Sequence, residues 1–68
     1  MKPIYIEDVG NNTFKGVLMC KSSESWTLTS SEVVLDNNEK IKMTDGSIVT
    51  EVDTNSYHIL YENRWFKK

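Results

Sequence analysis

The sequence of 68 residues contains no Ala, no Gln, and only one Cys and one His. The β-branched residues Val, Ile and Thr occupy 17 positions, a composition that favours strands over helices. The single cysteine, Cys20, excludes an internal disulfide, and the single histidine, His58, excludes a His-rich metal site. No apolar stretch is long enough for a signal peptide or a membrane span, so we predict a cytoplasmic protein.

The charged residues indicate neither a polyanionic ligand nor catalysis. Eight Lys and Arg against ten Asp and Glu leave a net charge of −2, too small to attract nucleic acid or acidic membranes through the overall field. We interpret His58 as a half-exposed strand residue and Cys20 as a small buried hydrophobe, since nothing in the sequence orients them toward each other. Glu51 and Asp53 are interpreted as solvated residues beside a turn. The sequence therefore predicts no enzyme activity, no cofactor and no metal site.

Alternation of apolar and polar residues predicts short strands separated by turns. The first strand covers residues 2–8, and a turn follows at residues 10–12, where Gly and Asn tolerate positive φ. Residues 13–20 form a second strand whose two faces are both largely apolar, which is typical of a central strand. Gly16 would permit a bulge or a close crossing within it.

The next segment is harder to assign. A third strand is predicted at residues 26–29, with Trp26 and Leu28 directed inward. The spacing from Thr29 to Glu32 matches a capping box and would start a short helical turn near residues 30–35. Because Val-Val is a poor helix centre, we predict a strand there and keep the helical turn as the alternative.

The strongest local signal is Asp45-Gly46, which lies between two alternating segments in the pattern of a type I′ hairpin. In the predicted register Lys40 lies opposite Glu51 on the solvent face, where their charges are complementary. The core face of this hairpin would carry Ile41, Met43, Ile48 and Thr50.

A final tight hairpin is predicted near the end of the sequence, with Asn63 in a left-handed conformation. With a two-residue loop, Leu60 faces Trp65 across the strands. The other side then carries Tyr57, Ile59, Tyr61 and Phe66. Because both sides carry bulky groups, one belongs to the core, and the other is covered by a further strand, by a partner or by nothing.

Residues 1–68 are therefore expected to form a single small all-β domain. Six or seven short strands indicate an antiparallel sheet rolled into a small barrel or a compact sandwich. In strand number and length, the predicted rolled sheet of five to seven strands is similar to SH3-like and OB-like barrels. This fold includes one short helical turn if residues 30–35 are helical and not a strand.

The function we expect is that of a non-enzymatic module that binds and modulates or inhibits a larger host protein, as small phage or mobile-element factors do. Seven Lys and six Asn against one Arg are typical of an AT-rich bacterial or viral genome. The predicted contact residues, chosen because interface anchors are rich in Trp, Tyr and Arg, are Tyr57, Tyr61, Arg64 and Trp65. An outer apolar patch would mark such an interface; alternation assigns to it Tyr5, Val17, Met19, Val49 and Leu60.

Two alternatives remain open. The last hairpin interleaves aromatic and basic residues, as surfaces for single-stranded nucleic acid do. In that alternative the hairpin acts together with Lys15, Lys40, Lys42, Lys67 and Lys68. A purely structural interpretation of the same segment is that Trp65 and Phe66 close the core while the terminal lysines stay solvated. The second alternative is a homo-oligomeric structural protein whose surplus apolar face pairs with itself.

Overall fold

The computed structural model describes all 68 residues as a mostly β fold whose sheet curls into a half-barrel. The seven strands are β1 (Lys2–Gly10), β2 (Thr13–Cys20), β3 (Glu32–Val34), β4 (Lys40–Met43), β5 (Ile48–Glu51), β6 (Ser56–Tyr61) and β7 (Arg64–Lys67). The predicted rolled sheet of short strands is thus confirmed, but the sheet is mixed and not purely antiparallel. The helical structure is one 3-10 segment, Ser22–Thr27, and no helix has the length and apolarity to cross a bilayer.

Strand β2 is central, as its two apolar faces predict. Along one edge it pairs with β1 in antiparallel fashion. Along the other edge its first residues pair with β4 and its last four with β5, both in parallel. The predicted close crossing at Gly16 is confirmed, because a Cβ there would lie only 2.8 Å from Cα of Ile6 and would also collide with the carbonyl of Tyr5. Glycine is therefore required where β1 crosses β2.

The predicted hairpin around Asp45-Gly46 is wrong, because β4 and β5 do not pair with each other. A turn does form, with the Ser47 N–H donating to the Thr44 carbonyl at 3.1 Å. Only Gly46 has positive φ, at 91°, which fits a type II turn and not type I′. The Gly46 N–H donates instead to the Leu60 carbonyl on β6, at 2.8 Å. The turn is a corner that delivers both flanking strands to the edge of β2.

This corner reverses the predicted orientation of the following strand. Ile41 and Met43 are in the core, as predicted, but Ile48 and Thr50 lie on the opposite face. No pair of Lys40 with Glu51 exists, since Glu51 is buried. The error arises because a hairpin register alternates across the two strands, whereas a corner breaks that alternation.

The strand predicted at residues 26–29 is also wrong. The chain forms the 3-10 helix there, and its start is held by Asp53, which accepts hydrogen bonds from the Ser22 N–H at 2.8 Å and the Ser22 hydroxyl at 2.6 Å. The Thr27 hydroxyl donates to the Glu24 carbonyl at 2.8 Å. Such local bonds from Ser, Thr and Asp compete with strand pairing. Trp26, predicted to point inward, is 78% exposed.

Around this segment two other expectations are settled. The strand preferred over a helical turn near residues 30–35 is confirmed as β3, which pairs with β4. The final hairpin is confirmed with its predicted register, in which Leu60 pairs with Trp65 and Ile59 with Phe66. Glu62 and Asn63 both have positive φ, at 50° and 64°, as a two-residue type I′ turn requires.

The core lies between the inner face of the β2, β5 and β6 region and the β3–β4 pair. Its nine buried residues are Met1, Leu18, Cys20, Val33, Leu35, Ile41, Met43, Val49 and Leu60. Cys20 is thus a buried hydrophobe, as predicted. Val49 and Leu60 correct the predicted outer patch, because both are fully inside the core.

Candidate functional site

The outer face of the sheet, turned away from this core, carries an unbroken apolar row across five strands. Each member pairs in register with the next, from β1 through β2, β5 and β6 to β7. The members of this outer row are Tyr5, Val17, Ile48, Ile59 and Phe66. Residues paired in register place their side chains on the same face, so the row is continuous.

Aromatic side chains enlarge the outer row on both sides. On β6, Tyr57 precedes Ile59 by two residues and pairs with Thr50, and Tyr61 follows Ile59 by two residues and pairs with Arg64. Tyr5 and Tyr61 are 58% exposed, and Tyr57 and Phe66 are 42% exposed. The face therefore leaves four aromatic rings open to solvent, which is unusual for a side of a sheet that has no covering layer.

A groove of about 410 Å³ runs along the β6–β7 end of this face. Its lining is mainly apolar and consists of Gly46, Ile59, Leu60, Tyr61, Phe66 and Lys68. Gly46 also borders a second groove on the β1 side, next to Tyr5 and Val17. The corner between β4 and β5 thus lies between the two halves of the outer face.

Cationic side chains lie among these aromatic rings. The Arg64 guanidinium is 5.6 Å from the centre of the Phe66 ring, within the range of a cation–π contact. Lys68 follows β7, where its N–H donates to the Tyr57 carbonyl at 2.7 Å. Lys15 reaches over the corner, since a Cβ placed on Gly46 would be 3.3 Å from its Cε. These three side chains place positive charge beside the aromatic rings, although the whole chain carries a net charge of −2.

The carboxylate of Glu7 is the acidic group beside Tyr5 on the β1 side. The Tyr5 hydroxyl donates to Glu7 Oε2 at 2.9 Å. This hydrogen bond and the negative charge of Glu7 raise the pKa of Tyr5 above its ordinary value. Tyr5 therefore stays a neutral, hydrogen-bonded ring at the edge of the face.

The structure brings three of the four predicted contact residues together. Tyr57, Tyr61 and Arg64 lie on the outer face, but Trp65 points to the inner side, where it is half-buried against the core. The Trp65 indole N–H donates to the Ser30 carbonyl at 2.7 Å. Phe66, which the predicted register already places on the side of Tyr57 and Tyr61, is the aromatic residue of β7 on the outer face.

The lysines predicted for nucleic-acid binding are spread more widely. Lys15 and Lys68 reach the aromatic part of the outer face. Lys40 and Lys42 lie on β4, which is separated from β6 by two strands in the sheet. Lys67 lies on the inner side of β7, with its Nζ 3.4 Å from Oε1 of Glu51. Two of the five thus join the aromatic groups.

Opposite this face, the inner side of the sheet holds a buried carboxylate that the sequence interpretation missed. Glu51 is fully buried, whereas the sequence predicted a solvated turn residue. It accepts hydrogen bonds from the hydroxyls of Thr54 at 2.7 Å and Ser56 at 3.3 Å, and Nε2 of His58 lies 2.5 Å from its Oε2. Since a carboxylate can only accept, this nitrogen carries a proton. His58, predicted as half-exposed, is buried as well.

The hydrogen bonds from Thr54 and then His58, with the positive charge of Lys67, lower the pKa of Glu51 from its ordinary value of 4.5 to about 2, against the opposing effect of burial. No buried side-chain polar atom lacks a hydrogen-bond partner. None of the three surface grooves is lined by Glu51 or His58. The arrangement therefore ties β5, β6 and β7 together.

Cys20 is the neighbour of Glu51 in the β2–β5 register. Burial, followed by the negative charges of Glu24 and Glu51, raises the pKa of the Cys20 thiol. A thiol held protonated in this way is a poor nucleophile. No group of three or more His, Cys, Asp or Glu side chains is placed to hold a metal ion.

Comparison with protein-family models, curated protein sequences and solved structures finds no match for this chain. Its function is therefore inferred from its own residues. Of its surfaces, the outer face combines the most exposed aromatic area with a groove and with the cationic side chains of Lys15, Arg64 and Lys68.

Proposed function

We propose that this chain is a small, non-enzymatic, cytoplasmic protein-binding module, and that its outer face occupies a surface of a larger host protein and so modulates it. The outer row supports this proposal. A chain with a small core gains most by burying its aromatic residues, yet four of them stay exposed on one face. Contiguous exposed apolar patches of this kind are typical of interaction sites.

The contact residues in this proposal are Tyr57, Tyr61, Arg64 and Phe66. Tyr and Arg are the residue types that most often carry binding energy at interfaces. The apolar groove beside Tyr61 and Phe66 has room for one large side chain of the partner. Lys68 lines this groove and Arg64 lies beside it, paired with Tyr61, so the partner that fits best presents an apolar anchor flanked by carboxylates. Trp65 supports the face from inside and does not contact the partner.

Single-stranded nucleic acid is the second candidate, because open aromatic rings beside Arg64, Lys15 and Lys68 also suit stacked bases and phosphates. The apolar lining of the groove and the two remote lysines on β4 favour the protein partner. Affinity for nucleic acid would fall steeply as salt is raised.

The test is affinity capture from bacterial lysate with the tagged chain, with and without nuclease, followed by mass spectrometry. Tyr61→Ala and Arg64→Ala are compared with Val52→Ala, an exposed residue that lines none of the three grooves. The proposal expects one protein to be captured in stoichiometric yield whether or not nuclease is added. Val52→Ala should capture it as well as wild type does, and the two outer-face variants should not capture it.

Capture that is indifferent to Tyr61 and Arg64 would place the contact elsewhere on the surface. Loss of the captured material after nuclease treatment would indicate that the outer face binds nucleic acid. A captured protein is then purified and its affinity for the same three variants is measured directly, so that indirect capture is separated from contact.

A further inference from the structure

The side chain of Trp26 projects from the 3-10 helix into solvent. It is 78% exposed, the highest exposure of any large hydrophobic residue in the chain. A Trp side chain buries roughly 150–250 Å² when it is covered, so leaving it open forgoes one of the largest hydrophobic gains available to the chain. Neighbouring Val34 is also exposed. Neither side chain contributes to the core.

The surroundings of Trp26 are acidic. Trp26 lines a groove of about 410 Å³ together with Glu24, Asp36 and Val34, and no Lys or Arg takes part in the lining. The side chains of Glu24 and Asp36 are 45% and 68% exposed. The amino group of Met1 lies 2.9 Å from Asp36 and 3.8 Å from Glu24, and two carboxylates outnumber this one cation.

Trp26 thus has the chemistry that the outer face selects, an apolar anchor flanked by carboxylates. The outer-face groove is apolar, borders Lys68, and lies beside Arg64, which pairs with Tyr61. An exposed aromatic ring between acidic groups and an apolar groove beside Lys68 and Arg64 are complementary in apolar character and in charge.

We propose that, in the absence of the partner, the outer face of one molecule binds Trp26 of a second copy of this chain. Trp26 would enter the groove beside Tyr61 and Phe66, while Glu24 and Asp36 face Arg64 and Lys68. The proposal rests on the outer face being the binding site of the proposed function. A molecule whose outer face holds Trp26 of one neighbour still has its own Trp26 to offer to the outer face of another, so the contact can repeat head to tail.

The two occupants of the outer face exclude each other. A molecule whose outer face holds Trp26 of its neighbour has no free outer face for the larger protein. Self-association and partner binding therefore compete, and binding of the larger protein would dissociate the assembled copies. The charged rim makes this association weaken at high salt, since exposed charge pairs are screened.

The test is sedimentation velocity on the full chain, from about 10 µM to about 1 mM and at low and high salt. Wild-type protein is expected to grow past the dimer as concentration rises. Trp26→Ala, and separately Tyr61→Ala with Phe66→Ala, are expected to weaken self-association by about tenfold or more. Val52→Ala is the matched control, because it removes an exposed apolar group that lines none of the grooves.

A mixture of the two weakened variants is the decisive arm. Each retains the patch that the other lacks, so an equimolar mixture is expected to form a one-to-one dimer that does not grow further. A Trp65→Phe background leaves Trp26 as the sole Trp, and its emission is expected to shift to the blue with concentration as the ring becomes buried.

A wild-type chain that stays monomeric over the whole range would overturn the proposal. So would a Trp26→Ala variant that assembles like wild type, or a mixture of variants that forms no dimer. The proposed function fails separately. Trp26→Ala is expected to keep capturing the larger protein, whereas the Tyr61 and Phe66 variant loses both activities.

Discussion

Each face of the β5–β6–β7 sheet carries residues that are usually found on the opposite kind of face. The inner face carries a fully buried carboxylate, Glu51, with His58 and Lys67 against it. The outer face, which nothing covers, carries Tyr57, Tyr61 and Phe66. The side chains that pair with Glu51 explain the inner face, because a buried charge is tolerated when it is paired and hydrogen-bonded. The exposed rings have no such explanation within the chain, and this contrast supports a binding role for the outer face.

The largest expected difference between the faces is in packing, and adjacent residues on β2 test it. Leu18 is fully buried, and Leu18→Ala should lower the free energy of unfolding by about 2–5 kcal/mol. Val17 belongs to the outer row, and Val17→Ala should cost less than about 1 kcal/mol. Urea unfolding measures both. Equal losses would show that the outer row is packed against something within the chain.

A smaller difference is expected across β7 and β6. Trp65 is half-buried and its indole bonds to Ser30, so Trp65→Ala should lower stability by about 2–3 kcal/mol. Tyr61→Ala should change stability by no more than about 0.5 kcal/mol while it removes binding. Thermal unfolding and partner affinity are measured on both. A stable Trp65→Ala variant that lost only binding would return Trp65 to the interface.

Acid should act chiefly through Glu51 on the inner face. Its pKa is about 2 in the folded chain and 4.5 in its ordinary state, so between these values the unfolded chain binds a proton that the folded chain excludes. Stability should therefore fall as pH is lowered from about 4.5 to about 2. Asp53, whose pKa is lowered chiefly by the Ser22 hydroxyl, acts in the same direction.

Thermal melts across this range provide the measurement. Glu51→Gln should be less stable at neutral pH, because His58 and Lys67 lose their anionic partner, and should show a flatter dependence on acid. Asp53→Asn is the matched control and should remove a smaller part of the slope. A Glu51→Gln variant with the same acid dependence as wild type would show that the titrating group lies elsewhere.

The smallest expected effect separates two consecutive lysines. Lys67 contacts Glu51 from a half-exposed position, and Lys67→Met should lower stability by about 1 kcal/mol or less. Lys68 borders the outer groove, and Lys68→Met should leave stability unchanged while it weakens partner binding and its salt dependence. Chemical unfolding and affinity at two salt concentrations distinguish them. If Lys67→Met weakened binding and Lys68→Met lowered stability, the two side chains would lie on the faces opposite to those described.

Elements governed by local chemistry were predictable from the sequence. The turn at residues 10–12, the two-faced strand β2 and the final hairpin all depend on nearby residues, and the positive φ of Asn63 and its neighbour Glu62 follows from the tight loop. From that hairpin alone, the grouping of Tyr57, Tyr61 and Phe66 on one side could be derived by alternation.

The errors share one cause, which is competition from distant segments. Asp45-Gly46 has the composition of a hairpin turn, but the edge of β2 offers both flanking strands a partner, and the turn's N–H goes to Leu60. Residues 26–29 alternate like a strand, but Asp53, far along the chain, holds Ser22 in the helical turn. Period-two patterns cannot show which strand edge is free.

The sequence by itself determined that this protein is built from short strands, where most of its turns lie, and that its aromatic and basic residues concentrate in the last hairpin. Only the tertiary structure decided which side of that hairpin is open, that Glu51 is inside and Trp26 outside, and that the outer row runs across five strands. The physical reason is that alternation states which residues share a face, whereas burial depends on what the rest of the chain places over that face.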